Sequence, residues 1–198
     1  MSIAERLHET SVRSRRVRRL AALIAARLSG YERVLDFGSG DGSLRQEIKS
    51  HCRGVRTFGV DVLPRERGGT FVLFDGERLP FRNGAYDVAM LVDVLHHTTD
   101  PLCLLREAKR VARRVIIKDH LVKGLAARAT LRFMDRIGNA RFGVALPCNY
   151  LDDTQWRELF DRAGLTLRDR VANLGLYRLP FSWLFDRQLH FVATLESR

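Results

Sequence analysis

Cysteine is scarce in this sequence and shows no pairing pattern. Cys52, Cys103 and Cys148 are its three cysteines, far apart and in no C-x-x-C arrangement, which argues against both a disulfide framework and a cysteine-bound zinc site. A reducing, cytoplasmic setting is therefore expected. Long apolar runs are missing too. The longest early one, Leu20 to Ala26, ends at Arg27, well short of the roughly 20 residues that a spanning helix needs. It follows a basic stretch as a signal peptide's core would, yet no small-residue cleavage site accompanies it and the chain runs straight into a strand. A soluble, non-secreted protein is expected. Repeats and low-complexity linkers are also absent, so the 198 residues, 45% of them apolar, read as a single domain over residues 1–198. Acidic residues are outnumbered, 23 against 34 Lys and Arg, for a net charge of +11 carried mainly by arginine. Such an excess attracts nucleic acid, anionic lipid or an acidic substrate, but an arginine-rich solvated surface has the same composition, so charge alone names no partner.

Residues 1–29 are expected to hold a basic amphipathic helix. Val17, Leu20, Ala21, Ile24 and Leu28 fall at helical spacing, with Arg13, Arg15, Arg16, Arg18 and Arg19 near its beginning. The helix over 12–28 suits packing on a sheet, and peripheral contact with an anionic membrane is the alternative. After Gly30 the pattern becomes short apolar runs separated by helical stretches, the signature of a parallel sheet with crossover helices. Strands are expected over Arg33–Phe37, Thr57–Asp61, Phe71–Phe74, Tyr86–Val92 and Val115–Lys118, with two later ones over Leu165–Val171 and His190–Leu195. Asp100 as N-cap and Pro101 at the first helical position open the clearest helix. Leu121–Ile137 reads as helical, followed by a Gly138-Asn139 turn and an irregular piece through Pro147 to Tyr150. A further helix starts near Asp153 and ends at Gly164.

The most informative segment is Val34-Leu35-Asp36-Phe37-Gly38-Ser39-Gly40-Asp41-Gly42. Here an apolar strand enters a glycine-rich turn that opens a helix, so backbone N–H groups can meet a ligand with no side chain in the way. Asp61 lies 19 residues beyond Gly42 at the end of the next apolar run. A parallel neighbour would bring its carboxylate to the ribose of a bound nucleoside. Asp75 closes the third run. Each aspartate alone could be a cap or turn residue. Together they put acidic groups at the carboxyl ends of three successive strands, where open α/β sheets bind ligands.

These motifs resemble the class I S-adenosylmethionine-dependent methyltransferases, particularly the small-molecule group that includes quinone-biosynthesis methyltransferases, over roughly residues 30–120. Asp36 with Gly38, Ser39, Gly40 and Gly42 is similar to the family's first motif, whose loop contacts the methionine portion. Asp61, with Val62 after it, matches the acidic residue at the ribose, and Asp75-Gly76 resembles the element beside the adenine. Leu79-Pro80-Phe81 and Tyr86-Asp87-Val88 resemble the approach to the fourth strand. Val92 and Asp93, then Val94-Leu95-His96-His97 and Asp100-Pro101, resemble the stretch after it. The resemblance implies a Rossmann-like three-layer α/β sandwich, a seven-stranded, mostly parallel sheet with an antiparallel last strand, and S-adenosyl-L-methionine as cofactor. Ala112-Arg113-Arg114 departs from the glycine pair many relatives have before the fifth strand.

A nicotinamide dinucleotide could occupy the same layout, but its G-x-G-x-x-G fingerprint is not met, because Ser43 stands at the third glycine's place. His96 and His97 after the fourth strand, and Asp119-His120 at the end of the fifth, are candidate bases if the acceptor must lose a proton, with Tyr150 behind them. The histidines could equally shape and pack a helix start. No metal is expected, because adjacent histidines diverge and no H-E-x-x-H or cysteine cluster accompanies them. Pro147-Cys148 resembles the nucleophile pair of cytosine-C5 methyltransferases but lies beyond the fifth strand, where a buried thiol is expected. An Asn/Asp-Pro-Pro-aromatic motif is also lacking, which counts against amino-nitrogen acceptors. Residues 121–150, bearing Phe133, Met134, Phe142 and Tyr150, are expected to cap an apolar acceptor pocket. The expected activity is methyl transfer to oxygen or carbon of a small, partly apolar acceptor. The alternatives are a nucleic-acid methyltransferase and a non-catalytic cofactor-binding partner subunit.

Overall fold

Apolar runs buried on both faces can satisfy their backbone only by pairing side by side, with the intervening helices laid over the two faces of the resulting sheet. The computed structural model has this form. It describes residues 3–66, 70–139, 149–177, 181–186 and 188–198, with the side chains of the first helix described from Ser14 onward. In chain order the elements are α1 (Ile3–Ala25), β1 (Arg33–Phe37), α2 (Ser43–His51), β2 (Arg56–Asp61), β3 (Phe71–Leu73), β4 (Tyr86–Val92), a 3₁₀ turn (Leu95–His97), α3 (Pro101–Val111), β5 (Ala112–His120), α4 (Ala127–Asn139), α5 (Asp153–Arg162), β6 (Leu165–Ala172), α6 (Phe181–Phe185) and β7 (His190–Ser197).

One seven-stranded sheet runs in the order β3-β2-β1-β4-β5-β7-β6. Strand β1 pairs in parallel with both β2 and β4, so the winding reverses there and the carboxyl ends of β1 and β4 frame a crevice. Strand β7 enters antiparallel between β5 and β6. This is the expected three-layer, Rossmann-like arrangement.

Each face of the sheet carries its own apolar core. On one side Leu105, Ala108 and Val111 of α3 pack with Trp156 and Phe160 of α5 against Leu35, Ala89 and Ile117. On the other, Leu20, Ala21 and Ile24 of α1 pack with Ile48 of α2 against Val34, Val88 and Ile116. The apolar stripe of α1 is thus buried against the sheet, and membrane contact through residues 12–28 gains no support. No described helix is long and apolar enough to cross a membrane.

Local signals set most boundaries. Asp100 caps α3 by accepting the Cys103 N–H at 2.9 Å, and Asp152 with Gln155 forms a reciprocal capping box on α5. At the end of α3, Ala112 adopts an extended conformation, so Ala112-Arg113-Arg114 begins β5 instead of forming the turn expected there. Residues 121–126 are not helical. The Leu121 and Val122 N–H groups bond to the Leu189 and Leu151 carbonyls, and Gly124 turns with φ +84°. Helix α4 therefore starts six residues later than its periodicity suggests, and it runs through Gly138-Asn139, the expected turn. Phe142, Pro147 and Cys148 lie outside the described residues. Cys52 and Cys103 are free and half-buried.

Candidate active site

The glycine turn is built by β1 arriving beside β2. Both the Gly38 and Ser39 N–H groups donate to the Val60 carbonyl, at 2.7 and 3.1 Å, which pins the turn to the neighbouring strand. Gly38, Gly40 and Gly42 all have positive φ, at 79°, 59° and 74°, where a side chain is strained. The three glycines have different surroundings. A methyl group at Gly38 would stand 2.5 Å from Val94 Cγ2, and one at Gly42 2.7 Å from the Glu66 carboxyl carbon, whereas one at Gly40 would meet open space.

Two of the three expected aspartates face this turn. Asp61 Oδ2 accepts the Gly40 N–H at 2.8 Å and the Arg65 guanidinium at 3.0 Å, and its Oδ1 accepts the Leu63 N–H at 3.0 Å. Asp36 is buried, and its Oδ2 has no hydrogen-bond partner, nor does the buried Ser39 Oγ. Burial pushes the Asp36 carboxyl up to about 7; Arg45 opposes the shift while Glu66 and Asp61 add to it. Beneath the turn Arg45 and Glu66 form a buried ion pair. Asp75 behaves differently. Its exposed carboxylate accepts the Glu77 and Arg78 N–H groups of its own turn, both at 2.9 Å, which holds its pKa below the usual value. Beside it, a methyl group added at Gly76 would stand 3.4 Å from Val62 Cγ1, and Val62 itself is half-exposed.

A second constellation sits at the ends of β4 and β5. His96 Nδ1 lies 2.7 Å from Asp119 Oδ1, whose carboxylate also accepts the Leu95 and His120 N–H groups at 3.0 and 2.7 Å. The second ring nitrogen of His96, Nε2, is buried without a hydrogen-bond partner, with Asp135 Oδ2 of α4 3.4 Å away. Tyr150 donates its hydroxyl to the same Asp135 oxygen, and His120 Nδ1 stands 3.2 Å from His96 Nδ1. Asp93, in the left-handed region at φ 56°, pairs with both Lys118 and Arg16. Lys118 Nζ in turn lies 3.3 Å from His190 Nδ1.

These contacts set the protonation states apart. Burial disfavours charge on His96, but the Asp119 carboxylate outweighs it and raises its pKa. For Asp119 burial is likewise outweighed, by His96 and His120, and its pKa falls below the usual carboxylate range. Asp93 is also held well below that range by Lys118 and Arg16, against its burial. His97, His120 and His190 are all shifted down by burial, His97 to about 4. Burial lowers Lys118 as well.

The structure therefore brings together Asp36, Gly38, Ser39, Gly40, Gly42 and Asp61 on one side, and Asp93, His96, His97 and His120 on the other. Val94 links the two, since it packs on Gly38 and the Leu95–His97 turn follows it at once. Val92 packs into the α1 side of the core. Asp93 belongs to the histidine cluster through its ion pairs. Phe133, expected to line a pocket, points outward at 56% exposure, because Ala127, Leu131 and Asp135 take the inner face of α4. Arg16, Lys118, Asp135 and His190 were not among the expected site residues. A lysine inside an apolar strand run, Ile116-Ile117-Lys118, was the one available signal. The divergence of adjacent His96 and His97, and the lack of an H-E-x-x-H motif or cysteine cluster, do not exclude ligands drawn from separate elements. Asp93, His96 and His120, from separate elements, do present one ligand atom each within 4.8 Å of one another. Both Asp93 oxygens already face cations, Lys118 and Arg16.

Known proteins share this plan. A methyltransferase of Mycobacterium sp. (strain KMS), itself described as uncharacterized, is 36% identical over 92 residues, which are 42% of this chain and 36% of that relative. The match thus spans little more than a third of the relative's length. Among solved structures, mitomycin 7-O-methyltransferase MmcR superposes with a TM-score of 0.68 at 18% identity, over 92% of this chain and 53% of that one. The [4+2]-cyclase SpnF gives 0.65 at 16%, over 91% and 81%. At such identities the likeness is one of fold, and the cyclase shows that the fold by itself does not fix the reaction. A profile described as "Methyltransferase domain" matches residues 9–169, most of the chain, and the protein accordingly belongs to the methyltransferase-domain family.

Proposed function

We propose that this chain is an S-adenosylmethionine-dependent methyltransferase that acts on oxygen of a small, partly apolar acceptor, with His96 as general base. The observation that carries the reading is the adjacency of two incomplete half-sites: a glycine turn whose Asp36 and Ser39 have buried oxygens without hydrogen bonds, and His96, oriented by Asp119, whose Nε2 makes no hydrogen bond and faces the Asp135 carboxylate at 3.4 Å. The first half-site fits the cofactor. Asp36 offers a carboxylate for an ammonium, Gly40 presents a face with open space above it, and Asp61 Oδ1, which takes a single N–H, retains capacity for a ribose hydroxyl. Val62 and Gly76, which lie side by side, would take the adenine. Bound there, S-adenosylmethionine supplies an activated methyl group on a sulfonium centre.

The second half-site does the chain's own chemistry. Above the raised His96 pKa, Asp119 accepts the Nδ1 proton of the neutral ring, which fixes the tautomer and leaves Nε2 to receive a hydroxyl proton. The buried Asp119 carboxylate strengthens that base by stabilising the imidazolium that forms. Lys118 and Arg16 add positive charge, which offsets Asp93. Alignment of donor and acceptor supplies the remainder, for which well-oriented reactants gain up to roughly 7–11 kcal/mol. Asp135 and Tyr150, on the chain that follows β5, close the site over His96. Oxygen is favoured over carbon because a positioned base serves a hydroxyl directly. A partly apolar acceptor of the quinone-biosynthesis kind remains the expected class.

The test combines calorimetric titration of S-adenosylmethionine with transfer of its labelled methyl group to a panel of phenolic and enolic acceptors. His96→Gln should keep cofactor affinity and lose about 10²–10⁴-fold in transfer rate, the usual worth of a general base. Absence of cofactor binding, or transfer by His96→Gln at the unaltered rate, overturns the reading.

A further inference from the structure

Helix α4 has two faces of different character. Ala127, Leu131 and Asp135 are buried, with Asp135 held by Tyr150 against His96 and His120. The outer face carries Arg128, Arg132 and Arg136 at four-residue spacing, all exposed, so they form one stripe along the helix. Beside it run Leu125, just ahead of the helix, then Ala129 and Phe133, also at four-residue spacing and exposed. Leu125 is fully exposed and Phe133 is 56% exposed. Lys123 extends the basic end. The only acid on the helix is Asp135, which is turned inward, and Arg132 and Arg136 have no carboxylate partner among the described residues. Elsewhere surface arginines commonly pair, as Arg114 and Arg168 do with Glu196 and Arg27 does with Asp169.

We propose that the outer face of α4 docks on an anionic lipid bilayer, with Leu125 and Phe133 entering the acyl boundary and Arg132 and Arg136 meeting the headgroups. The inference rests on the methyltransferase reading for its purpose: one helix would hold the membrane on its outer face and close the acceptor site with its inner one, so that a partly apolar acceptor passes from the bilayer to His96. Charge complementarity selects the occupant, because a basic stripe flanked by apolar residues matches an anionic interface. A nucleic-acid backbone would use the arginines, but it gives a fully exposed aliphatic Leu125 nothing to insert into. The α1 helix does not compete for this role, since Arg16 is paired with Asp93 and Arg19 donates to the Leu174 carbonyl.

The experiment is sedimentation of the full chain with vesicles of phosphatidylcholine alone and of phosphatidylcholine with phosphatidylglycerol, at low and high salt. Binding should require the anionic lipid and weaken with salt. Arg132→Glu with Arg136→Glu should lower partitioning at least 25-fold, from about fivefold for each arginine lost. Leu125→Ser with Phe133→Ser should lower it at least tenfold. The control pair Lys49→Glu with Arg113→Glu, on exposed residues outside α4, makes the same change in net charge and should stay within about threefold of the parent. Failure to bind anionic vesicles, an equal loss in the control pair, or displacement of bound protein by polyuridylate at stoichiometric amounts overturns the proposal. Cofactor titration of the same variants reports separately on the catalytic reading. It should be unchanged in all of them, and its loss in the parent protein would sink the methyltransferase assignment without touching the vesicle result.

Discussion

His96 Nδ1 lies 2.7 Å from Asp119 Oδ1, and both groups are shielded from solvent, His96 at 1% and Asp119 at 0% side-chain exposure. The pair stabilises the fold differently at different pH. His96 has a raised pKa, so its contribution is complete below its ordinary value of 6.5 and disappears as pH rises through the raised one. Asp119 has a lowered pKa, so its contribution is complete above its ordinary value of 3.8 and is lost as pH falls toward the lowered one. Both are present between those two ordinary values. Asp119→Asn should cost about 3–5 kcal/mol there, as expected for a buried charge that loses its partner. Calorimetric Tm values for both proteins at pH 5.5 and 8.5 check this. The gap should shrink at the higher pH, and an equal gap at both would mean that His96 is not charged in the folded protein.

Burial pushes the Asp36 carboxyl up to about 7, so on the proposed function cofactor affinity should depend on pH. If the ionised carboxylate receives the methionine ammonium, protonation competes with binding. Between pH 8 and pH 6 the ionised fraction falls about tenfold, so the dissociation constant should rise about tenfold. Titration calorimetry at these two values, with Asp36→Asn as reference, measures it. A flat response in the unsubstituted protein would remove the ammonium from Asp36.

Asp61 holds the Gly40 N–H as well as Arg65, so its removal should act on both the loop and the ribose. Asp61→Ala is expected to weaken S-adenosylmethionine binding by about 1.5–3 kcal/mol, the worth of a hydrogen bond to a charged group. Unaltered affinity by calorimetry would exclude Asp61 from the site.

The parts of this site that were legible in the sequence share one property: they depend on short segments whose partners follow from strand order. Val34 to Gly42 announces a strand and a turn. Once β1 and β2 are parallel neighbours, Asp61 reaches Gly40 by register alone, since Phe37 pairs with Val60. Asp75 shows the limit of that reasoning, because an aspartate at a strand end can satisfy its own turn first. The ion pairs of Arg16 with Asp93, 77 residues apart, and the contact of Lys118 with His190, 72 apart, were not legible. They depend on how α1 lies across the sheet and on β7 inserting beside β5. Asp135 was hidden for a further reason. Its helix was read by its aromatic residues, yet Phe133 faces outward, and a helix places a neighbour two positions away on a different side.

The buttress under the glycine turn offers a test of how the loop is held. Gly42→Ala must adopt φ near +74°, which costs about 1–2 kcal/mol for a residue with a Cβ, and its methyl would meet the Glu66 carboxylate at 2.7–2.9 Å. Glu66→Ala alone leaves the buried Arg45 guanidinium without its carboxylate, which should cost about 3–5 kcal/mol. In the double variant the steric conflict is gone, so the combined loss should fall short of the sum of the single losses by about 0.5–3 kcal/mol, the range for residues in contact. Denaturant titration of the four proteins closes the cycle. Strict additivity would show that Glu66 can swing clear of Gly42 at no cost, and the loop would then be shaped by its φ angles alone.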